Sequence, residues 1–298
     1  MIIVNLKGGL GNQMFQYALG YCVAKKNKAP LVCDLRYLQE RKGKKNYTNR
    51  DFSLGIFGID VGEATSADLF KVGMLFGGYK IRHIVGKLMD RLGVLVLSER
   101  SPAFEPRVIL KNSKNLYIDG YWQSEKYFYK HQEEIKKLFR FNESDFTKEV
   151  LELARLIEKS KDAICLNVRR GDFIGSKNHE VVDLAYYFNA IKNLKIKLKS
   201  NPQIFIFSDD IEWCRSNLSK ISENVIFVEH VNKEQSSFVD LYLMTRFSNY
   251  IIPNSTFAWW GAWLSAAKNK TVITPQAWSG IERLEPKDIV PDSWKICN

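Results

Sequence analysis

Two adjacent arginines, in Arg169-Arg170-Gly171-Asp172, follow the apolar run 163–168. Guanidinium groups at the end of a buried strand offer a bidentate fork to phosphate oxygens, the chemistry that a diphosphate requires. Three more polar clusters occupy equivalent places. They are Gly8-Gly9-Leu10-Gly11-Asn12-Gln13 after 1–6, Ser208-Asp209-Asp210 after 203–207, and Asn254-Ser255-Thr256-Phe257 after 250–253. In an open parallel sheet, ligands bind beyond the carboxyl ends of the strands. Ser255 and Thr256 open a helical stretch, where hydroxyls and free backbone N–H groups meet the positive end of a dipole suited to an anion. Each cluster also has a plainer use. Arg169, Arg170 and Asp172 can form a local salt bridge, Ser255-Thr256 an N-cap, Asp209-Asp210 a cap for the helix beginning near Ile211, and the glycines a simple strand-to-helix turn.

Other chemistries fit less well. The glycine turn invites a dinucleotide-binding reading, with Asp34 ending the second strand where a ribose-binding acid falls, but the third glycine of that fingerprint is replaced by Met14. The four histidines, His83, His131, His179 and His230, are scattered, and Asp209-Asp210 is not a spaced Asp-x-Asp, so no metal site is expected. Without a divalent cation, Arg169, Arg170 and helix dipoles would have to neutralise phosphate. Trp259, Trp260 and Trp263 share one short helix, with Trp278 beyond; core packing is favoured over sugar stacking.

The elements that must position these groups follow from hydrophobic pattern. Residues 1–6 read as a buried strand, followed by a helix on which Phe15, Leu19, Cys22 and Val23 share a face. Residues 29–34 and 115–119 read as further strands; the latter leads into Gly120-Tyr121-Trp122-Gln123-Ser124, and a helix is expected from Phe128 to Leu138. Residues 141–148 are the expected linker, giving domains 1–148 and 149–298. From 163 onward, strands at 163–168, 203–207, 225–228, 250–253 and 270–274 alternate with helices, which argues for a doubly wound parallel sheet.

Length and composition bound the rest. The 298 residues, 45% hydrophobic and 26% charged, make an ordinary globular chain long enough for two domains. Five cysteines without CxxC spacing suggest neither a disulfide framework nor a zinc ribbon, and the opening Met-Ile-Ile-Val-Asn lacks the pattern of a signal peptide. No long apolar window is free of charge, so a cytoplasmic location without a membrane span is expected. The net charge of +11 lies mostly in the first half, with Arg41, Lys42, Lys44, Lys45 and Arg50 in one polar loop and a basic amphipathic segment at 66–97. Such a surface suits nucleic acid, anionic lipid or phosphorylated ligands. The chain lacks an RNP sequence, a zinc finger and aromatic-basic interleaving, so a polyanion-binding protein is the remote alternative.

Five ordered motifs resemble glycosyltransferase family 11, the galactoside α-1,2-fucosyltransferases, especially bacterial members that build O-antigens. They are Gly8-Gly9-Leu10-Gly11-Asn12-Gln13-Met14-Phe15-Gln16-Tyr17-Ala18, Gly120-Tyr121-Trp122-Gln123-Ser124, Val168-Arg169-Arg170-Gly171-Asp172-Phe173, Phe207-Ser208-Asp209-Asp210-Ile211-Glu212-Trp213-Cys214, and Asn254-Ser255-Thr256-Phe257-Ala258-Trp259-Trp260. The resemblance implies an α/β GT-B fold of two Rossmann-like domains facing across a cleft, an acceptor-side domain first and a GDP-sugar-binding domain second. It implies GDP-fucose as donor substrate, no cofactor or metal, and inverting transfer to the 2-hydroxyl of a terminal galactoside, with a lipid-diphosphate-linked repeat unit as one acceptor form and another GDP-deoxyhexose such as colitose as the alternative donor. Carried over by position, Arg169 would hold the β-phosphate and Arg170 would support the motif or the donor. Gly9, Gly11 and Asn12 would lie at the donor, with Asn12 near the leaving group. Asn254, Ser255, Thr256 and Phe257 would contact the diphosphate, and Asp209 and Asp210 the guanosine. Asp172 would orient the arginines or act as base. The family's arginine motif usually begins with His; here the residue is Asn167, which cannot ionise near neutral pH. Glu125 and Asp119 are open candidates for a base in the acceptor half. An anionic membrane surface is the expected partner of the surplus basic charge.

Overall fold

A computed structural model describes residues 1–42, 50–175, 181–229, 236–278 and 286–297. Lys44, Lys45, His179 and His230 lie outside the described residues. The chain divides into two units, Met1–Arg140 and Phe141–Asn298. The expected linker therefore belongs to the second unit. Phe141 and Phe146 pack there on Phe238 and Tyr242, with Phe146 and Tyr242 stacked at 4.0 Å between ring centroids.

The first unit holds four parallel strands, β1 (Ile2–Asn5), β2 (Leu31–Asp34), β3 (Val96–Ser98) and β4 (Leu116–Asp119), in the order β2-β1-β4-β3. β1 and β4 are fully buried, with Ile2 opposite Leu116 and Val4 opposite Ile118. The helix Leu10–Asn27 starts at Gly9, ends in a left-handed Lys28, and packs so tightly on β1 that a Cβ at Gly20 would meet Val4 Cγ2 at 2.4 Å. The basic segment contains the helices Ser66–Lys71, closed by a Thr65/Asp68 capping box, and Tyr79–Arg91. β3, which follows them, has no counterpart in the expected strand list. Its three residues are too short a signal for a period-2 pattern. Where one helix from Phe128 was expected, 3-10 turns at Glu125–Tyr127 and Tyr129–His131 precede the helix Gln132–Leu138.

The second unit holds six parallel strands, β5 (Ile164–Val168), β6 (Ile204–Ser208), β7 (Val225–Phe227), β8 (Asn249–Ile251), β9 (Thr271–Pro275) and β10 (Lys295–Cys297), in the order β10-β9-β8-β5-β6-β7. The edge strand β10, with two exposed residues out of three, was also not expected. Chain order runs outward from β5 through β6 to β7, then returns to β8 and runs outward the other way. β5 and β8 thus flank the reversal, the place where open α/β sheets bind ligands. In the first unit β1 and β4 are the adjacent central strands, but chain order there runs outward from β1 to β2, crosses to the opposite edge at β3 and comes inward to β4. The tryptophans are core: Trp259 and Trp260 are fully buried, and Trp259 Nε1 donates to the Ile289 carbonyl at 2.7 Å. No helix among the described residues is long and apolar enough to cross a membrane.

Candidate functional site

In the second unit the register places Val168 opposite Ser208 and Leu166 opposite Ile251. The arginine turn, the aspartate turn and the Asn-Ser-Thr turn consequently leave three adjacent strands. Arg169 Nη2 donates to Asp172 Oδ1 at 2.6 Å, and its Nη1 lies 3.0 Å from Asp209 Oδ2. Arg170 pairs with Asp210 Oδ2 at 3.1 Å, and its guanidinium carbon lies 4.0 Å from the Trp213 ring centroid. The Arg170 amide donates to Asp209 Oδ1 at 2.9 Å. A Cβ at Gly171 would stand 2.4 Å from Asp209 Oδ2, so the two turns can interlock only around a glycine.

These groups are partly open, with side-chain exposures from 19% at Arg170 to 32% at Asp210. At such exposure the pairs add little stability. Their effect is geometric, holding two guanidinium planes at the edge of the sheet. Asp210 is also the N-cap of the helix Ile211–Leu218, accepting from the Trp213 amide at 3.2 Å. The plainer reading of that residue therefore holds alongside any ligand role.

On the other side of β5, β8 leads into the helix Thr256–Leu264. Tyr186 Oη donates toward the Ile252 and Ile273 carbonyls at 2.7 and 3.1 Å, tying the residue that follows β8 to the middle of β9. Ser255 is buried and caps the helix, accepting from the Ala258 amide at 3.5 Å. Thr256 and Phe257, the first residues of the helix, are half-buried. Asn254 is buried in the same turn.

The first unit builds a different edge. Gly8 has φ of +76°, and a Cβ there would meet Asn12 Nδ2 at 2.5 Å. Asn12 Oδ1 accepts from Gln123 Nε2 at 2.8 Å, Gln16 Oε1 from the Lys7 amide at 2.9 Å, and Gln16 Nε2 donates to the Gly120 carbonyl at 3.1 Å. Glutamine and asparagine side chains thus tie the turn after β1 to the turn after β4. Met14, which stands where a dinucleotide fingerprint has its third glycine, is fully buried. Asp34 is also buried, held by Arg36 through Nε at 2.9 Å and Nη2 at 2.7 Å and by Tyr117 Oη at 2.8 Å, which leaves it no ribose to bind.

Lys7 and Asp119 form an ion pair at 2.8 Å with each side chain 5% exposed. Asn5 Nδ2 donates to the same carboxylate at 2.8 Å, and His83 Nδ1 lies 3.3 Å from its other oxygen. Burial alone would push Asp119 up, but the Lys7 charge and the His83, Lys7 and Asn5 hydrogen bonds hold it well below the usual carboxylate range. The Asp119 charge likewise raises Lys7 above its ordinary value. Glu99 accepts from the Tyr121 and Trp122 amides at 2.7 and 2.8 Å, and burial still raises its carboxyl. Those bonds hold Trp122, fully buried, at a φ of +55°. Glu125 opens the following 3-10 turn and is half-buried.

Of the residues singled out in the sequence, Arg169, Arg170, Asp172, Asp209 and Asp210 form one network, and Asn254, Ser255, Thr256 and Phe257 occupy the neighbouring turn. Gly9, Gly11 and Asn12 belong to the first unit, as does Asp119. Lys7, His83 and Glu99 were missed. Opposite charges just past β1 and at the end of β4 were a usable signal for Lys7. For His83, on a helix 36 positions from its carboxylate partner, none existed.

Two units, each built on a parallel Rossmann-like sheet, make the architecture of the GT-B fold. The chain belongs to glycosyltransferase family 11, whose family model matches residues 102–298. It is 32% identical to an alpha-1,2-colitosyltransferase of Escherichia coli, over 99% of this chain and 98% of that protein. It is also 32% identical to the O-antigen biosynthesis glycosyltransferase WbnK of Escherichia coli, over 92% and 93% of the two chains. The fold is similar to that of the fucosyltransferase NodZ from Bradyrhizobium, with a TM-score of 0.50 at 15% identity over 88% of this chain and 91% of that one.

Proposed function

We propose that the chain transfers a 6-deoxyhexose, L-fucose in the first instance, from its GDP conjugate to the 2-hydroxyl of a terminal galactoside in a surface glycan or O-antigen repeat unit. The observation that carries this reading is the emergence of Arg169 and the N-terminus of the helix Thr256–Leu264 from the adjacent strands β5 and β8. A fixed cation and a helix dipole there can hold a diphosphate and stabilise the charge that grows on it as the glycosidic bond breaks. Arg169 would exchange Asp172 and Asp209 for the β-phosphate, freeing Asp209 Oδ2 for a ribose hydroxyl. Arg170 and Asp210 would brace the turn, and Asp172 would orient Arg169. Inversion follows from in-line attack by an acceptor hydroxyl, and the arginines make a divalent cation unnecessary. In the first unit, Gly9, Gly11 and Asn12 would face the leaving group.

The similarity to a colitosyltransferase favours a second donor, differing from fucose by one hydroxyl. A panel of GDP-sugars assayed with one galactoside in EDTA separates the cases. Turnover with GDP-fucose supports the first reading, turnover with GDP-colitose alone selects the second, and turnover with neither contradicts both.

The membrane is the further partner in this reading. On the helix Tyr79–Arg91, Ile81, Ile84 and Leu88 are 58%, 68% and 57% exposed, and Leu92 just beyond is 69% exposed. Lys80, Lys87 and Arg91 are exposed on the adjoining stripe, while Arg82, Gly86 and Asp90 face inward. An apolar stripe edged with cations suits an anionic bilayer surface. Flotation with anionic liposomes is expected, and to be lost in Ile84→Asp/Leu88→Asp; equal behaviour with neutral lipid would contradict this contact.

A further inference from the structure

Arg169 is gripped along its whole guanidinium. Nε and Nη2 donate to Asp172 Oδ1 at 3.1 and 2.6 Å, and Nη1 lies 3.0 Å from Asp209 Oδ2. Arg170 pairs with one carboxylate, Asp210, and stacks its guanidinium on Trp213. In these two turns, two guanidinium groups therefore meet three carboxylates, and the edge proposed for a diphosphate is net negative without its ligand. Fold stability does not account for the surplus. One carboxylate already neutralises Arg169, and pairs as exposed as these add little. Neither carboxylate can withdraw from the arginine turn. Asp209 Oδ1 accepts from the Arg170 amide at 2.9 Å, and its Oδ2 occupies the place that a Cβ at Gly171 would take. Asp172 lies on the 3-10 turn Gly171–Phe173, where the Phe173 amide donates to the Arg170 carbonyl at 2.9 Å. The long Arg169 side chain is the partner that can swing.

We infer that Asp172 and Asp209 are internal competitors of the diphosphate for Arg169, and that they favour the donor over the product. This rests on the transferase reading above. In a GDP-sugar the β-phosphate is esterified. Once the sugar has left, it is a terminal phosphate that takes a second charge near neutral pH. A site built of cations alone would hold that product more tightly than the donor, and product release would then limit turnover. Carboxylates fixed beside the guanidinium compete at high effective concentration, since they belong to the same turns. Their repulsion is greatest for the ligand with the extra charge. As GDP departs, Arg169 exchanges the β-phosphate oxygens for Asp172 and Asp209, so part of the cost of breaking its contacts is repaid inside the protein. The surplus carboxylate and its anchoring to backbone both follow from such a role. Two aspartates that only oriented Arg169 would need neither.

The test is Asp172→Asn in the intact chain, which removes the charge and keeps an oxygen for Arg169. GDP and GMP are titrated by calorimetry in EDTA. GDP is expected to bind about tenfold tighter than to the wild type, and GMP, which lacks the β-phosphate, to stay within about twofold. Dissociation of GDP should slow in stopped flow, and the KM for a GDP-sugar that the wild type turns over should fall by less than the Kd of GDP. A gain for GDP below about threefold, or an equal gain for GMP, overturns the inference. Weaker GDP binding also overturns it, because the carboxylate then only orients Arg169. If Asp172→Asn loses its thermal transition, Asp209→Asn carries the same expectation, its amide oxygen still accepting from the Arg170 amide. Unfolding of both makes the carboxylates structural and overturns the inference too. Failure of the transferase reading looks different: neither the wild type nor the variants then bind GDP.

Discussion

Each sheet has a pair of adjacent central strands, β1 and β4 in the first and β5 and β8 in the second, yet the charges at their carboxyl ends are arranged oppositely. At β1 and β4 the ion pair is sealed, with Lys7 and Asp119 each 5% exposed. At β5 and β8 the charges lie open, with Arg169, Asp172 and Asp209 at 27%, 26% and 24%. A sealed pair sets the geometry of its neighbours and exchanges partners with difficulty, because either ion left alone in low dielectric is strongly destabilised. An open arginine held by two carboxylates can trade them for a stronger anion. The overall charge follows another division. Residues 1–140 hold 24 basic and 13 acidic side chains, and residues 141–298 hold 20 of each. The unit proposed to bind the most highly charged ligand thus has no net charge. In the proposed reading, local placement of guanidinium groups and a helix end would do that work, and the surplus of the first unit would be left for a surface.

The contrast can be broken at either end. The largest effect is expected from Lys7→Ala, which strands Asp119 and should cost about 3–5 kcal/mol of stability by urea unfolding. Lys7→Met with Asp119→Leu should recover most of it, and a double variant as unstable as the single would contradict the account of a sealed, self-neutralising pair. The pair also sets an acid response. Because the folded Asp119 lies below its ordinary 3.8, its stabilisation is complete above about pH 5 and is lost as pH falls below about 4 toward the folded value. The double variant should lack that component.

Next comes Arg169→Ala, expected to lower kcat/KM about 10²–10³-fold while the thermal midpoint stays within a few degrees. Arg169→Lys should rescue it only in part, since a point charge does not reproduce the fork. A near-normal rate in Arg169→Ala would remove the open network from the chemistry. The smallest effect is expected from Asp210→Ala, which loses the cap on Ile211–Leu218 and the Arg170 pair: about 1 kcal/mol of stability, with GDP affinity reduced a few-fold by calorimetry.

Much of this is legible in the sequence. Continuous apolar runs such as 163–168 announce strands buried on both faces, and the residue types just after them announced the arginine network, because local order alone places strand-end residues at a ligand edge. What was hidden depends on distance in sequence. β3 and β10 are three-residue strands without a pattern of their own, held by their neighbours. Residues 141–148 look like a linker in composition, but Phe141 and Phe146 find aromatic partners nearly a hundred positions on, at Phe238 and Tyr242. His83 carries no local mark, since its meaning comes wholly from Asp119. The capping role of Asp210 and Ser255 was visible only as one of two uses, and the structure shows the cap in both.

The central claim is that the open edge at β5 and β8 is the donor diphosphate site. A crystal structure with bound GDP tests it most directly. The account predicts the β-phosphate against Arg169 and the first N–H groups of the helix Thr256–Leu264, with Asp172 or Asp209 released from the guanidinium. A diphosphate bound elsewhere, with Arg169 still held by both carboxylates, would contradict it.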